Sequence, residues 1–184
     1  MKLLLDACVL YPTVMREVLI GAAKAGLYEP LWSPRILEEW ARAAAKLGPE
    51  QEVFARSEIT LLNAAFPKAS VTPRDGDMAR LWLPDENDIH VLAAAIVGGA
   101  DVLVTMNNAD FPRHTLAEEG LRRDTPDALL RELFDSHPET LRRIVEGVRG
   151  EAERLSGQDW PLRKLMRKAR LPRLGKALEA ESFG

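Results

Sequence analysis

Two short apolar runs constrain the fold more than any other feature of this chain. Leu3-Leu4-Leu5 and Val102-Leu103-Val104 are too short for helices, show no alternation of apolar and polar residues, and stop at Asp6 and Thr105. Runs of this kind form strands buried on both faces, which belong to parallel sheets covered by helices. The segments between them read as helices and further strands. Val14, Val18, Leu19, Ala22 and Ala25 recur on a helical period and stop at Gly26, and residues 27–32 fit a second strand. Ser33-Pro34 supplies a cap and first-turn pair for a helix to Leu47, closed by Gly48-Pro49. A further helix is expected over 50–65, and Ala69-Ser70-Val71-Thr72 is a weaker strand candidate; residues 74–82 are ambiguous. Ile89, Leu92, Ala93 and Ile96 form the clearest helical stripe, stopped by Gly98-Gly99. Alternating strands and helices imply an α/β fold with a central parallel sheet flanked by helices. Beyond Asp124, Thr125-Pro126, His137-Pro138 and Asp159-Trp160-Pro161 each open a helix. Residues 1–124 thus carry the sheet, and residues 125–184 form a helical C-terminal extension with a basic last helix.

A chain of 184 residues suits one core with a small helical appendage. The apolar start is cut off by Asp6 before it reaches the length of a signal-peptide core, and no apolar run spans a bilayer, so a soluble cytoplasmic protein is expected. The lone Cys8 excludes an internal disulfide, and His90, His114 and His137 lack any metal-ligand spacing. Any metal must therefore sit on oxygens. The formal net charge of −3 hides an uneven distribution: Arg163, Lys164, Arg167, Lys168, Arg170, Arg173 and Lys176 lie in a stretch with no acidic residue. Such a tail fits RNA phosphates, an acidic partner segment, or simply a solvated helix face.

In an open parallel sheet, ligands bind beyond the carboxyl ends of the strands. Asp6, after the first apolar run, and Asp110, in the loop after Thr105, would face one crevice. Asp88, three residues after the helix-cap candidate Asp85, would point the same way. Two or three carboxylates plus water suffice for Mg²⁺ or Mn²⁺, and such an ion supports phosphodiester hydrolysis. Asp85 and Asp88 also fit an N-cap and a partner of the helix dipole. Asp110-Phe111-Pro112 is also a turn in its own right. His90 is placed to shuttle protons or to pack; Trp32, Trp40 and Trp82 are expected in the core or an interface. A phosphorylated receiver domain is disfavoured because no Asp-x-Asp follows the first run, and no Gly-rich nucleotide loop follows a strand.

Four stretches in order, residues 4–10, 33–40, 85–95 and 101–112, resemble the PIN-domain family, close to the VapC-type toxins of bacterial toxin–antitoxin pairs. Leu165 to Leu178 resembles the helical tail of one larger subgroup. The resemblance implies a PIN-like fold with residues 1–124 as the catalytic domain. It also implies a catalytic quartet of Asp6, Glu39, Asp88 and Asp110, with metal held by Asp6, Asp88 and Asp110. Glu38 competes with Glu39, since both lie off the apolar stripe of their helix. In the commonest family pattern an Asp stands two residues after the Thr; here that place is Asn107, and Asp110 comes three later. Asn107 and Thr105 are expected to contact the substrate. The resemblance further implies an RNA substrate and a cognate antitoxin; the lack of a long apolar run argues against a membrane partner, and apolar faces around Trp40 and Val18 suggest a homodimer. The alternative is an inactive PIN-like module that only binds RNA or a protein.

Overall fold

Leu3, Leu4 and Leu5 have no exposed surface; they form strand β1 (Lys2–Leu5) of a four-stranded sheet. The computed structural model describes residues 1–180. The other strands are β2 (Glu29–Leu31), β3 (Val102–Val104) and β4 (Arg122–Asp124), in the order β2-β1-β3-β4. All three pairings are parallel, with Leu4 opposite Leu31, Leu5 opposite Val104 and Val104 opposite Asp124. The chain leaves β1 for β2 on one side and returns to β3 on the other. Strand order therefore reverses between β1 and β3, and the crevice of a parallel sheet opens beyond the carboxyl ends of such a pair.

In chain order the helices are α1 (Ala7–Leu10), α2 (Thr13–Lys24), α3 (Pro34–Ala45), α4 (Pro49–Ala65), α5 (Asp75–Met78) and α6 (Ile89–Gly98). They continue with α7 (Arg113–Glu118), α8 (Pro126–Ser136), α9 (Pro138–Ser156), α10 (Leu162–Lys168) and α11 (Pro172–Ala180). A 3₁₀ turn over Glu86–Asp88 leads into α6. The residues group into two compact units: Met1–Tyr11 with Tyr28–Asp124, and Pro12–Leu27 with Thr125 onward.

The first unit holds the whole sheet. Ser33 caps α3 by accepting from the Ile36 N–H at 3.1 Å, with Pro34 in the first turn. Gly48-Pro49 both closes α3 and opens α4: Gly48 adopts φ 127°, a left-handed backbone that suits glycine, and Pro49 starts the next helix. Trp32 and Trp40 are core residues, whereas Trp82 is 64% exposed. The large apolar side chains left outside on α4 are Val53, Phe54 and Leu61.

Several expectations need correction here. Residues 69–72 do not form a strand; the segment makes a single bridge, Ser70 to Trp32, through Trp32 N–H to Ala69 O and Val71 N–H to Trp32 O. Pro73, which has no N–H, follows at once. Helix α6 is more than a one-sided stripe: His90 through Ala95 are all buried, so it is enclosed over that stretch, while Val97 is exposed. It stops at Gly99 in the left-handed conformation, φ 63°. Helix α7 and strand β4 have no counterpart in the sequence reading.

The second unit is helical throughout. Residue Gly21 of α2 lies against Ile144 of α9 so closely that a Cβ there would meet Ile144 Cγ2 at 2.6 Å. Only glycine leaves that approach open without moving the isoleucine. The expected single basic helix is two helices, α10 and α11. Arg170 takes a left-handed φ of 61° between them, and Pro172 begins the second. The basic residues are partly engaged: Arg163 pairs with Glu179 at 2.8 Å, and Lys164 and Lys168 lie over the Trp160 ring. Among the described residues no helix is long and apolar enough to cross a membrane.

Candidate active site

At the carboxyl end of β1 the chain turns into α1, and Asp6 is the residue at the turn. Its backbone N–H still bonds Val104 O of β3 at 3.1 Å, while its side chain caps α1 by accepting from the Ala7 N–H at 2.7 Å. The other carboxylate oxygen accepts from the Thr105 hydroxyl at 2.7 Å and from the Cys8 thiol at 3.1 Å. These donors are themselves tied to the loop after β3: Thr105 Oγ1 accepts from Asn107 N–H at 3.0 Å, and Cys8 Sγ accepts from Met106 N–H at 3.2 Å. Asp6 is thereby locked between the ends of the two central strands, with little of its surface exposed. Burial and the neighbouring Asp6 charge push the Cys8 thiol up to about 12. At neutral pH Cys8 is a protonated donor to Asp6 and no nucleophile.

Beside Asp6 the structure gathers three more carboxylates. Asp85, Asp88 and Asp110 each present an oxygen within 4.8 Å of the other two. Asp85 caps the 3₁₀ turn, its Oδ1 accepting from both the backbone N–H and the side-chain amide of Asn87 at 2.9 Å. Residues three apart eclipse one another on such a turn, so Asp85 and Asp88 emerge on one side. Asn107 donates its amide to Asp88 at 3.2 Å and to Asp110 at 2.5 Å. The Asp88 carboxyl is pushed up to about 6, chiefly by burial, then by the charges of Asp6, Asp85 and Asp110, with His90 opposing. Like charges held this close favour a cation among them. An all-oxygen donor set in this arrangement fits a hard divalent ion that keeps some of its water.

The two adjacent glutamates of α3 part company. Glu38 is taken up by Arg42 at 3.1 Å and Arg56 at 3.0 Å, and those guanidiniums hold its carboxyl below its ordinary range. Glu39 lies instead 2.8 Å from His90 Nε2 and 3.4 Å from Arg35 Nε. The Glu39 contact with His90 is short but off the N–H direction, since neither ring nitrogen of His90 has a well-formed hydrogen bond. It is an electrostatic approach rather than a hydrogen bond.

Of the residues expected at the site, Asp88, Asp110 and Asn107 come into direct mutual contact, and Asp6 sits beside them. Glu39 reaches the cluster through His90, two residues beyond Asp88. Thr105 lies below the surface with its hydroxyl donated to Asp6. Sequence reasoning treated Asp85 only as a cap, and the three-residue spacing to Asp88 was the signal for more. It also missed Cys8 as a donor and Arg123 of β4, whose Nη1 donates to Asn108 O at 2.5 Å and Phe111 O at 2.7 Å and so fixes the loop that carries Asp110. No sequence pattern marks either role.

Among known proteins, no curated protein and no solved structure matches this chain. Residues 2–109, more than half of it, match the PIN domain, a fold of nucleases that are typically metal-dependent. The matched segment includes Asp6, Glu39, Asp85, Asp88, Thr105 and Asn107 and ends one residue before Asp110. A parallel sheet with acids converging at its β1/β3 edge and a match of this extent lead to one assignment: the chain belongs to the PIN domain family.

Proposed function

We propose that this protein is a metal-dependent endoribonuclease that cuts RNA phosphodiester bonds, and that it acts as the toxin of a type II toxin–antitoxin pair. The observation that carries the nuclease reading is the cluster of Asp85, Asp88 and Asp110 within 4.8 Å of one another, beside the locked Asp6. Mg²⁺ or Mn²⁺ bound there would polarise a phosphoryl oxygen and make bound water acidic enough to supply hydroxide near neutral pH. The chain's own residues do the rest. Asp85, Asp88 and Asp110 would provide the oxygens that hold the ion, and Asn107 fixes the orientation of Asp88 and Asp110. Asp6, oriented by the Ala7 amide, Thr105 and Cys8, adds its negative charge beside Asp88. Glu39, 2.8 Å from His90 Nε2, would be the group to take up a proton from the attacking water. Attack by water in line with the 3′ oxygen leaves a 5′-phosphate and a 3′-hydroxyl.

The toxin reading rests on the likeness of the four motif stretches to VapC-type proteins, and the basic residues of α10 and α11 suit an acidic antitoxin segment or RNA. An inactive module is less well supported, because Asp110 supplies the carboxylate that Asn107 does not. The deciding experiment is cleavage of mixed single-stranded RNA with Mg²⁺ or Mn²⁺, beside EDTA and the Asp6→Asn variant. Cleavage lost in both controls supports the nuclease. Metal binding by calorimetry without any cleavage of several RNAs defeats it. Growth arrest on expression, relieved by Asp88→Asn, tests the toxin reading separately.

A further inference from the structure

Next to the acidic cluster lies a cavity of about 200 Å³ lined by Ser33, Pro34, Arg35, Thr72, Pro73, Met78 and His90. Pockets for drug-sized ligands run from roughly 300 Å³ upward, so this one suits a single planar ring. Its surface is mostly apolar, with the Ser33 oxygen already engaged by the Ile36 N–H. His90 is the unusual member. It is only 4% exposed, yet its Nδ1 has no partner and its Nε2 has only the off-line approach of Glu39. Buried polar nitrogens are almost always hydrogen-bonded, and one that is not asks for a missing partner.

The cavity and the acids are joined residue by residue. Arg35 donates to Asn87 O at 3.4 Å, Asn87 donates twice to Asp85, and His90 follows Asp88 by two positions. A nucleotide whose phosphate reached the acidic cluster would carry its base toward this pocket. Sequence-reading of single-stranded RNA works through bases splayed out of the stack, held between flat side chains and hydrogen-bonded on an edge. Pro34, Pro73 and Met78 supply apolar walls, and His90 stands in the lining as a buried side chain without a well-formed hydrogen bond.

We propose that this cavity is a base-binding subsite that takes one unstacked nucleobase of the RNA, beside the scissile phosphate, and gives the enzyme its sequence preference. This rests on the nuclease reading for the identity of the polymer. The test is binding, by fluorescence anisotropy with Ca²⁺ present to offset the carboxylates, of a set of short single-stranded RNAs in which one abasic residue is moved through every position. Loss of one stacked base is expected to weaken binding about tenfold at a single position, with the other positions changing less than about twofold. Filling the pocket by Met78→Trp or, independently, by Thr72→Phe on the exposed rim should erase that position dependence. Variants are used once their melting matches the parent chain. A uniform response to all abasic positions, absence of RNA binding, or a position dependence that survives a well-folded filling variant would each overturn the subsite. Cleavage of the intact RNAs with Mn²⁺ is read in parallel. Position-dependent binding with no cleavage counts against the nuclease and leaves the subsite standing, whereas cleavage with a uniform abasic response does the reverse.

Discussion

Replacing Asp88 by Asn should make the metal-free protein more stable while destroying its metal site. Asp88 shares a small volume with Asp85 and Asp110 and feels Asp6 as well, and its carboxyl is pushed up to about 6 from an ordinary value of 3.8. In a fully dry site a displacement of that size corresponds to about 3 kcal/mol. Asp88 is only partly buried, and solvent screening brings the figure to about 1 kcal/mol. The sign follows from the direction: a carboxyl raised by folding stabilises the fold while protonated, below about pH 4, and that contribution is lost as pH rises through 6. At pH 7.5 the ionised Asp88 therefore opposes folding, and Asn, which cannot ionise, removes the penalty while keeping an oxygen for the Asn107 amide. Thermal melting in EDTA at pH 7.5, followed through the buried Trp32 and Trp40, should show Asp88→Asn about 2–4 °C above the parent. The difference should vanish near pH 4. With Mn²⁺ at about a hundred times its dissociation constant the parent gains about 2.7 kcal/mol, and the variant much less, so the order reverses. A variant that melts below the parent at pH 7.5 in EDTA, yet equals it at pH 4, would refute the repulsion on which the metal argument stands.

Three further outcomes are expected. Thr105→Val keeps the shape of a fully buried side chain but strips Asp6 of a hydroxyl donor and Asn107 N–H of its acceptor. It should cost about 1–3 kcal/mol in urea unfolding, and an unchanged midpoint would show that Thr105 does not hold Asp6. Glu39→Gln should lower RNA cleavage at least about tenfold, within the range for a positioned proton-transfer group, while Glu38→Gln changes it less than about twofold, because Glu38 is held by Arg42 and Arg56. Equal losses in the two variants would remove Glu39 from the site. Asp127→Ala removes the buried carboxylate that accepts from the Arg173 and Leu174 N–H groups at the start of α11. A loss of about 1–2 kcal/mol is expected, read as faster hydrogen exchange over 172–180; undiminished protection there would contradict the cap.

What the sequence made legible follows the strength of the local signal. Leu3-Leu4-Leu5 and Val102-Leu103-Val104 announce buried strands because nothing polar interrupts them, and with them comes the crevice where Asp6 sits. Ser33-Pro34, Thr125-Pro126 and Gly99 mark helix ends through chemistry confined to one or two residues. Strand β4, Arg122-Arg123-Asp124, carries no apolar residue at all; it is a strand only because β3 offers it a partner. Residues 69–72 show the converse, a strand-like composition with room for just one bridge. Asp85 was hidden for a different reason. One carboxylate both caps a turn and joins a cluster, and a sequence displays the first role locally while the second depends on a loop more than twenty residues away.

That loop also explains why the fourth acid sits at an unusual place. After Thr105 the chain does not run straight out from the sheet. Phe111 is fully buried, and Arg123 holds the carbonyls of Asn108 and Phe111, so residues 107–111 fold back on themselves. A tight reversal brings residue 110 to the same spot as residue 107, and there the Asn107 amide donates to Asp110 and Asp88 together. An acid at position 107 would stand in contact with two carboxylates already under repulsion; an amide in that position offers them a donor instead. The number of carboxylates at the site is thus set by loop curvature and charge balance rather than by distance along the chain. Arg123, a residue of the edge strand that carries no acid to the site, ties down the reversal that presents the Asp110 side chain there.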